Sequence, residues 1–173
     1  PSERILGLVM EKIEGENLEK ILPKEGLSND PEVLFDIAIQ LAKAVEVTHL
    51  AGFVHRDIKP ENAMIDSNNK VRLLDLGLAS YQSPGTSEVA IYKQTVPNMD
   101  VGSDDYLLEN EQDPLSPARD VYALGRTFQQ LLVGQAFTKA IPLRSAIYRM
   151  RDANLKQFAD LAYNMTRSNA AER

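Results

Sequence analysis

Apolar residues along this chain change their spacing several times, and each change marks an element. Ile5 to Met10 is a continuous apolar run that predicts a short buried strand. Glu11 to Asn17 is polar, with Gly15 as punctuation, and Leu18 to Leu22 predicts a short helix. A polar loop follows to Asp30. Asn29-Asp30-Pro31 then marks a helix start, a capping side chain ahead of a proline at the first helical position. Val33, Leu34, Ile37, Leu41, Ala44, Val45 and Thr48 recur at helical spacing, which predicts a helix from Pro31 to about Leu50, ending near Gly52. Ala63-Met64-Ile65 and Val71 to Leu74 flank the turn residues Asp66 to Asn69 and predict a small hairpin. Ala79 to Val101 has no clear period and predicts a long exposed loop. Ser116-Pro117 opens a second long helix, with Val121, Leu124, Phe128, Leu131 and Leu132 toward a core and Gly134 as its stop. Phe137 to Met150 yields no assignment. Asn154 to Met165 predicts a last amphipathic helix through Leu155, Phe158, Ala159, Leu161 and Ala162. The pattern is mainly α, with one hairpin.

Composition narrows the classes. A chain of 173 residues with 43% hydrophobic residues is enough for one domain with a sizeable core. The net charge of -6 argues against a general nucleic-acid binder. Without cysteine there is neither a disulfide nor a thiolate metal site, which suits a reducing compartment; a cytoplasmic location is the expectation. No apolar run reaches the length of a membrane span. The first residue is Pro1, so the expectation is a piece of a longer chain.

One polar stretch stands apart from these elements: Val54-His55-Arg56-Asp57-Ile58-Lys59-Pro60-Glu61-Asn62. Pro60 fixes its own φ and biases Lys59 away from helix, so the stretch is a rigid loop. It presents a carboxylate, an ammonium and an amide oxygen together. Phosphoryl transfer needs such groups: a carboxylate near the attacking hydroxyl, a cation for the developing charge, and an oxygen ligand for a hard metal ion. Asp75-Leu76-Gly77 follows just beyond the hairpin and adds a second carboxylate.

The stretch from His55 to Asn62 resembles the H-R-D-x-x-x-x-N catalytic loop of eukaryotic-type protein kinases, and Asp75-Leu76-Gly77 resembles their D-F-G motif with Leu for Phe. Lys59 is the form found in Ser/Thr kinases. The likeness covers nearly the whole chain but only one lobe of that fold. It implies a protein-kinase-like C-lobe: a helical bundle with a small β-hairpin carrying the catalytic loop and magnesium site. Residues 1–16 become the last N-lobe strand and hinge, and 75–109 the activation segment. The N-lobe is absent: there is no G-x-G and no V-A-I-K lysine ahead of the hinge. Val89 to Lys93 echoes that lysine motif only faintly and lies in the wrong place.

Further roles follow from the resemblance. Asp57 accepts the substrate hydroxyl proton and Lys59 supports it. Asn62 and Asp75 hold Mg2+. Met10 is the gatekeeper, the backbones of Glu11 and Ile13 meet the adenine edge of ATP, and Met64 packs beneath its ring. His55 and Arg56 are structural or regulatory; Arg56 can pair with a phosphate on Thr86, Ser87 or Thr95. Ser103 bonds Asp57 and Lys59. Glu109 pairs with Arg173. Asp120 is both a first-turn helix acid and an anchor for the catalytic-loop backbone. His49 is a packing residue. Leu107-Leu108 replaces the family's Ala-Pro beside the peptide site and points to a specialised substrate.

The implied activity is ATP-dependent phosphorylation of Ser/Thr hydroxyls in a protein substrate, with the parent's own N-lobe as partner, no nucleic acid and no membrane segment. Without that lobe the chain is expected to be inactive. Two other readings stay open: a pseudokinase scaffold, and a small-molecule kinase of related fold.

Overall fold

A computed structural model describes residues 10–82, 89–91, 106–107, 116–134, 150–169 and 171. The chain order is β1 (Gly15–Asn17), α1 (Leu18–Ile21), α2 (Pro31–Leu50), β2 (Phe53–Val54), β3 (Ala63–Asp66), β4 (Val71–Leu73), β5 (Ser80–Gln82), β6 (Val89–Ile91), α3 (Pro117–Val133) and α4 (Ala153–Asn164).

Each long helix begins where capping chemistry sets it. Asp30 Oδ1 accepts the Val33 N–H at 3.4 Å ahead of Pro31, and Ser116 Oγ accepts the Ala118 N–H at 3.2 Å ahead of Pro117. α2 ends at Leu50 with Ala51 as its C-cap, and Gly52 turns the chain at φ 82°. Its core face is Leu34, Ile37, Ala38, Leu41 and Val45. Val33, predicted inside, is 43% exposed, because a first-turn residue overhangs the end of the core. Ala44 and Thr48 are half-buried.

α3 is buried around most of its circumference and carries polar groups inward: Arg119, Asp120, Arg126, Thr127 and Gln129. Such groups persist inside only when they are hydrogen-bonded. Thr127 Oγ1 donates to the Ala123 carbonyl at 2.9 Å, and Gln129 Nε2 donates to the Ala162 carbonyl and to Thr166 Oγ1. Gly125 lets α4 come close, since a Cβ there would lie 2.7 Å from Met165 Cβ. Phe158 joins the three long helices, with ring centroids 5.6 Å from Phe35 and 5.1 Å from Phe128. α4 starts one residue earlier than predicted, capped by Asp152, and Leu161 points outward at 51% exposure.

The strands depart further from expectation. The predicted hairpin is present as β3 and β4, paired Ala63↔Leu73 and Ile65↔Val71. β1 extends it to a three-stranded antiparallel sheet of order β1-β3-β4. A Cβ at Gly15 would lie 2.2 Å from the Ile65 carbonyl oxygen, so the approach needs glycine. A second antiparallel sheet, order β2-β5-β6, runs through the stretch predicted to be loop, pairing Phe53↔Tyr81 and Ser80↔Ile91. Among the described residues there are thus two small sheets rather than one hairpin. Strands of two or three residues are too short to show a period, and their partners lie far along the chain. Apart from Met10, the Ile5 to Met10 run lies outside the described residues, as does nearly all of Phe137 to Met150. No described helix is long and apolar enough to cross a membrane.

Candidate active site

The loop between β2 and β3 is fixed before any functional side chain is considered. Its N-terminal end hangs from Asp120, in the first turn of α3 and fully buried. Asp120 Oδ2 accepts the His55 N–H at 2.7 Å, and Oδ1 accepts the Arg56 N–H at 2.8 Å. Arg56 sits at φ 72°, a costly conformation for a residue with a long side chain, which persists where neighbours over-determine it. Its guanidinium is buried and donates from Nη1 to the Leu78 carbonyl at 3.3 Å, while Nε is buried without a hydrogen bond. Burial lowers its pKa, against the pull of Asp120.

His55 joins the two motifs. Its fully buried ring places Nε2 2.9 Å from the Leu74 carbonyl, and Nδ1 takes the Asp57 N–H at 3.4 Å. A carbonyl can only accept, so Nε2 carries the proton and Nδ1 is the free lone pair. Burial drives the imidazole pKa below its ordinary 6.5; Asp120, the Leu74 carbonyl, Asp57 and Asp75 pull the other way and lose. The ring is neutral and ties the residue before Asp75 to the residue before Arg56.

Asp57 and Asn62 are brought together. Asn62 Nδ2 donates to the Asp57 backbone carbonyl at 2.8 Å and to Asp57 Oδ2 at 2.7 Å. Lys59 Nζ lies 3.0 Å from the same Oδ2. Asp57 Oδ1 is buried and has no hydrogen bond. The carboxylate is therefore pinned through one oxygen and presents the other. Pro60–Asn62 forms a 3-10 turn, with the Asn62 carbonyl accepting Leu74 N–H at 2.8 Å. Asn17, the cap of α1, donates from Nδ2 to the Glu61 carbonyl at 2.6 Å and so ties that helix to the loop. Glu61 has a buried, unbonded Oε2, and burial raises its pKa, with Glu19 and Asp57 adding to the effect.

Glycine permits sharp backbone turns, yet the turn at the second motif is made by the Asp. The left-handed residue is Asp75 itself, at φ 60° and ψ 74°, not Gly77. Its Oδ1 accepts the Gly77 N–H at 2.9 Å, and the residue is exposed. A short Asp bonds its own following backbone and tolerates this conformation, so the turn is made two positions ahead of the glycine. Met10 is 69% exposed, Glu11 is exposed, Ile13 is half-buried, and Met64 lies in β3, half-buried. Ser103, Glu109, Arg173 and the hydroxyls of Thr86, Ser87 and Thr95 lie outside the described residues.

Two site residues went unrecognised in the sequence. His49, predicted to be packing, places Nε2 2.8 Å from Asp120 Oδ2. Asn17 reads there only as a polar residue before a short helix. Neither carries a local signal, because the partner of each, Asp120 or Glu61, lies far along the chain.

The residues suit a hard cation shared with a substrate. Both Asn62 Nδ2 bonds go to Asp57, which leaves its Oδ1 as the acceptor for an incoming partner, and Asp75 adds an exposed carboxylate. Among the described residues no group of three or more His, Cys, Asp or Glu side chains could hold a metal by itself. An incomplete oxygen set of this kind matches Mg2+ held by one or two side chains plus phosphate oxygens.

Helices with small antiparallel sheets around such a loop are compatible with a kinase-like fold. The family model described as the protein kinase domain matches residues 2–171. This chain belongs to the protein kinase domain family. It is 30% identical over 130 residues to a probable serine/threonine-protein kinase PknB of Corynebacterium glutamicum, covering 74% of this chain and 19% of that protein. It is 33% identical over 128 residues to serine/threonine-protein kinase F of Synechocystis sp., covering 74% and 25%. It is 35% identical over 120 residues to serine/threonine-protein kinase PknA of Mycobacterium tuberculosis, covering 68% and 26%. The chain thus spans about a fifth to a quarter of these relatives' length.

Proposed function

We propose that this chain is the large lobe of a Ser/Thr protein kinase and carries the catalytic loop for transfer of the ATP γ-phosphoryl group to protein hydroxyls. The observation that carries this reading is Asp57: one carboxylate oxygen held by Asn62 and Lys59, the other buried and unpartnered. The free oxygen accepts the proton of the substrate hydroxyl as that hydroxyl's oxygen bonds to phosphorus and the bond to ADP breaks. Lys59 lies beside the same carboxylate and offsets charge that develops on the moving phosphoryl group.

Asn62 and Asp75 would hold Mg2+, which when bound neutralises charge on the phosphate oxygens. Met10, Glu11, Ile13 and Met64 would line the adenine. Ser103 would bond Asp57 and Lys59, and Glu109 would pair with Arg173. Residues 1–16 act as last N-lobe strand and hinge and 75–109 as activation segment, with Thr86, Ser87 and Thr95 as sites whose phosphates Arg56 would meet. The glycine-rich loop and lysine that cradle the ATP tail have no counterpart in this sequence, so the parent's N-lobe is the partner that completes the site.

The test is phosphate transfer from labelled ATP to a generic protein substrate by the full parent protein. Asp57→Asn should lower kcat about a hundredfold or more while ATP still binds. Transfer that survives in the Asp57→Asn protein would remove Asp57 from the reaction and the kinase reading with it.

A further inference from the structure

We propose that the outward face of α2 is a self-association surface, on which a second copy of this chain lies antiparallel across a two-fold axis. None of its residues belongs to the candidate active site. Opposite the core face of α2 lie Ile39, Lys43, Glu46 and Leu50. They follow one another at intervals of four, three and four residues, the spacing of a stripe along one side of a helix. All four are exposed, and so is Val47 beside them. Leu50 is 80% exposed and Ile39 54%. A single exposed Leu is ordinary on a protein surface. Here an apolar residue stands at each end of one stripe, with a cation and an anion between them. Neither Lys43 nor Glu46 has an ion-pair partner among the described residues, so both charges face solvent.

The stripe is its own complement. When two copies of α2 run antiparallel, setting Ile39 against Leu50 of the second copy also sets Lys43 against its Glu46. Both pairs share one midpoint, between Ala44 and Val45. The two-fold axis repeats each contact, so two apolar pairs flank two ion pairs. The charges also fix the register. Sliding one copy by a turn sets Lys43 against Lys43 in one direction and Glu46 against Glu46 in the other, like charges in contact. A parallel pairing sets each residue against its own copy and fails for the same reason. A second copy therefore supplies the matching pattern in one register and one direction. A pair of single helix faces is a small contact, at the transient end of interface sizes, and the expected dissociation constant is on the order of tens of micromolar.

The experiment follows sedimentation of the full parent protein over about a hundredfold range of concentration around that constant. A monomer–dimer equilibrium is expected. Lys43→Glu and Glu46→Lys each turn two attractive pairs into two repulsive ones, and each alone should weaken the dimer by about tenfold or more. Mixed in equal amounts, the two variants meet with opposite charges at every pair and should associate within about threefold of the parent. Leu50→Ser should weaken the dimer by about tenfold. A parent that stays monomeric across the range overturns the proposal, whether the face is bare or covered by another part of the parent. A dimer that either the single charge reversals or Leu50→Ser leave intact is held elsewhere and overturns it too. So does a mixture no tighter than the single variants, which excludes the antiparallel register. All three substitutions fall on exposed side chains, and thermal unfolding checks that each variant folds. Should a single reversal not fold, the double reversal, expected at the parent's constant, decides together with Leu50→Ser.

Discussion

Asp120 is the side chain whose loss the structure makes most costly. It is fully buried and accepts from His55 N, Arg56 N and His49 Nε2, at 2.7, 2.8 and 2.8 Å. Asp120→Ala removes every one of these acceptors. A buried donor left without a partner costs about 1–3 kcal/mol, so losing three amounts to roughly 3–9 kcal/mol, less whatever water recovers on the partly exposed side of His49. Typical domain stabilities are about 5–15 kcal/mol, so the Ala variant approaches unfolding.

Asp120→Asn keeps the shape and one oxygen. Turned toward His55 and His49, that oxygen leaves the new NH2 facing the Arg56 N–H; turned the other way, the NH2 faces two donors. One donor clash and the loss of charge assistance set the expected cost at about 2–4 kcal/mol. Urea unfolding checks this. With a slope of about 2 kcal/mol per M, a 3 kcal/mol loss lowers the midpoint by about 1.5 M with the slope unchanged. A midpoint within about 0.3 M of the parent for Asp120→Ala would refute the claim that this carboxylate carries the loop.

Two further outcomes follow from other parts of the molecule. Burial holds the His55 pKa below 6.5, so the unfolded chain binds more protons than the folded one between the folded value and 6.5. The contribution of His55 to stability is complete above about pH 6.5 and is lost as pH falls toward the folded value. Melting temperatures between pH 7.5 and 5 should therefore show a decline that flattens in His55→Gln; an equal decline in both proteins excludes His55 as its source. Gly134→Ala places a Cβ at φ 70°, about 2.3 Å from Gly26 N and the Lys24 carbonyl oxygen. Expected is a loss of about 2 kcal/mol or more, a fall of roughly 4–8 °C in Tm. An unchanged Tm means the loop from Lys24 to Gly26 can move aside without cost.

The site was more legible in the sequence than the sheets that support it. Asp57, Lys59 and Asn62 are neighbours along the chain, and a proline locks the backbone between them, so their meeting on Asp57 Oδ2 needed little help from the rest of the fold. α2 and α3 were legible too, because local capping and a helical period act over many residues and do not depend on distant partners. The sequence was least informative where a contact joins residues far apart. β1 pairs with β3 and β2 with β5, and these strands are too short to carry a pattern of their own.

His49 shows the same limit at a single residue. Nothing local to the end of a helix tells whether a histidine packs or bonds; here Asp120, from the next long helix, decides it. The left-handed turn falls at Asp75 rather than at Gly77, with the Asp carboxylate accepting the Gly77 N–H and Leu74 held by His55 and Asn62. The chemistry of one loop and the helices on either side of it could be read along the chain, since both rest on short-range forces. The buried carboxylate that suspends that loop could not, because a hydrogen bond between distant residues exists only after the core has brought them together.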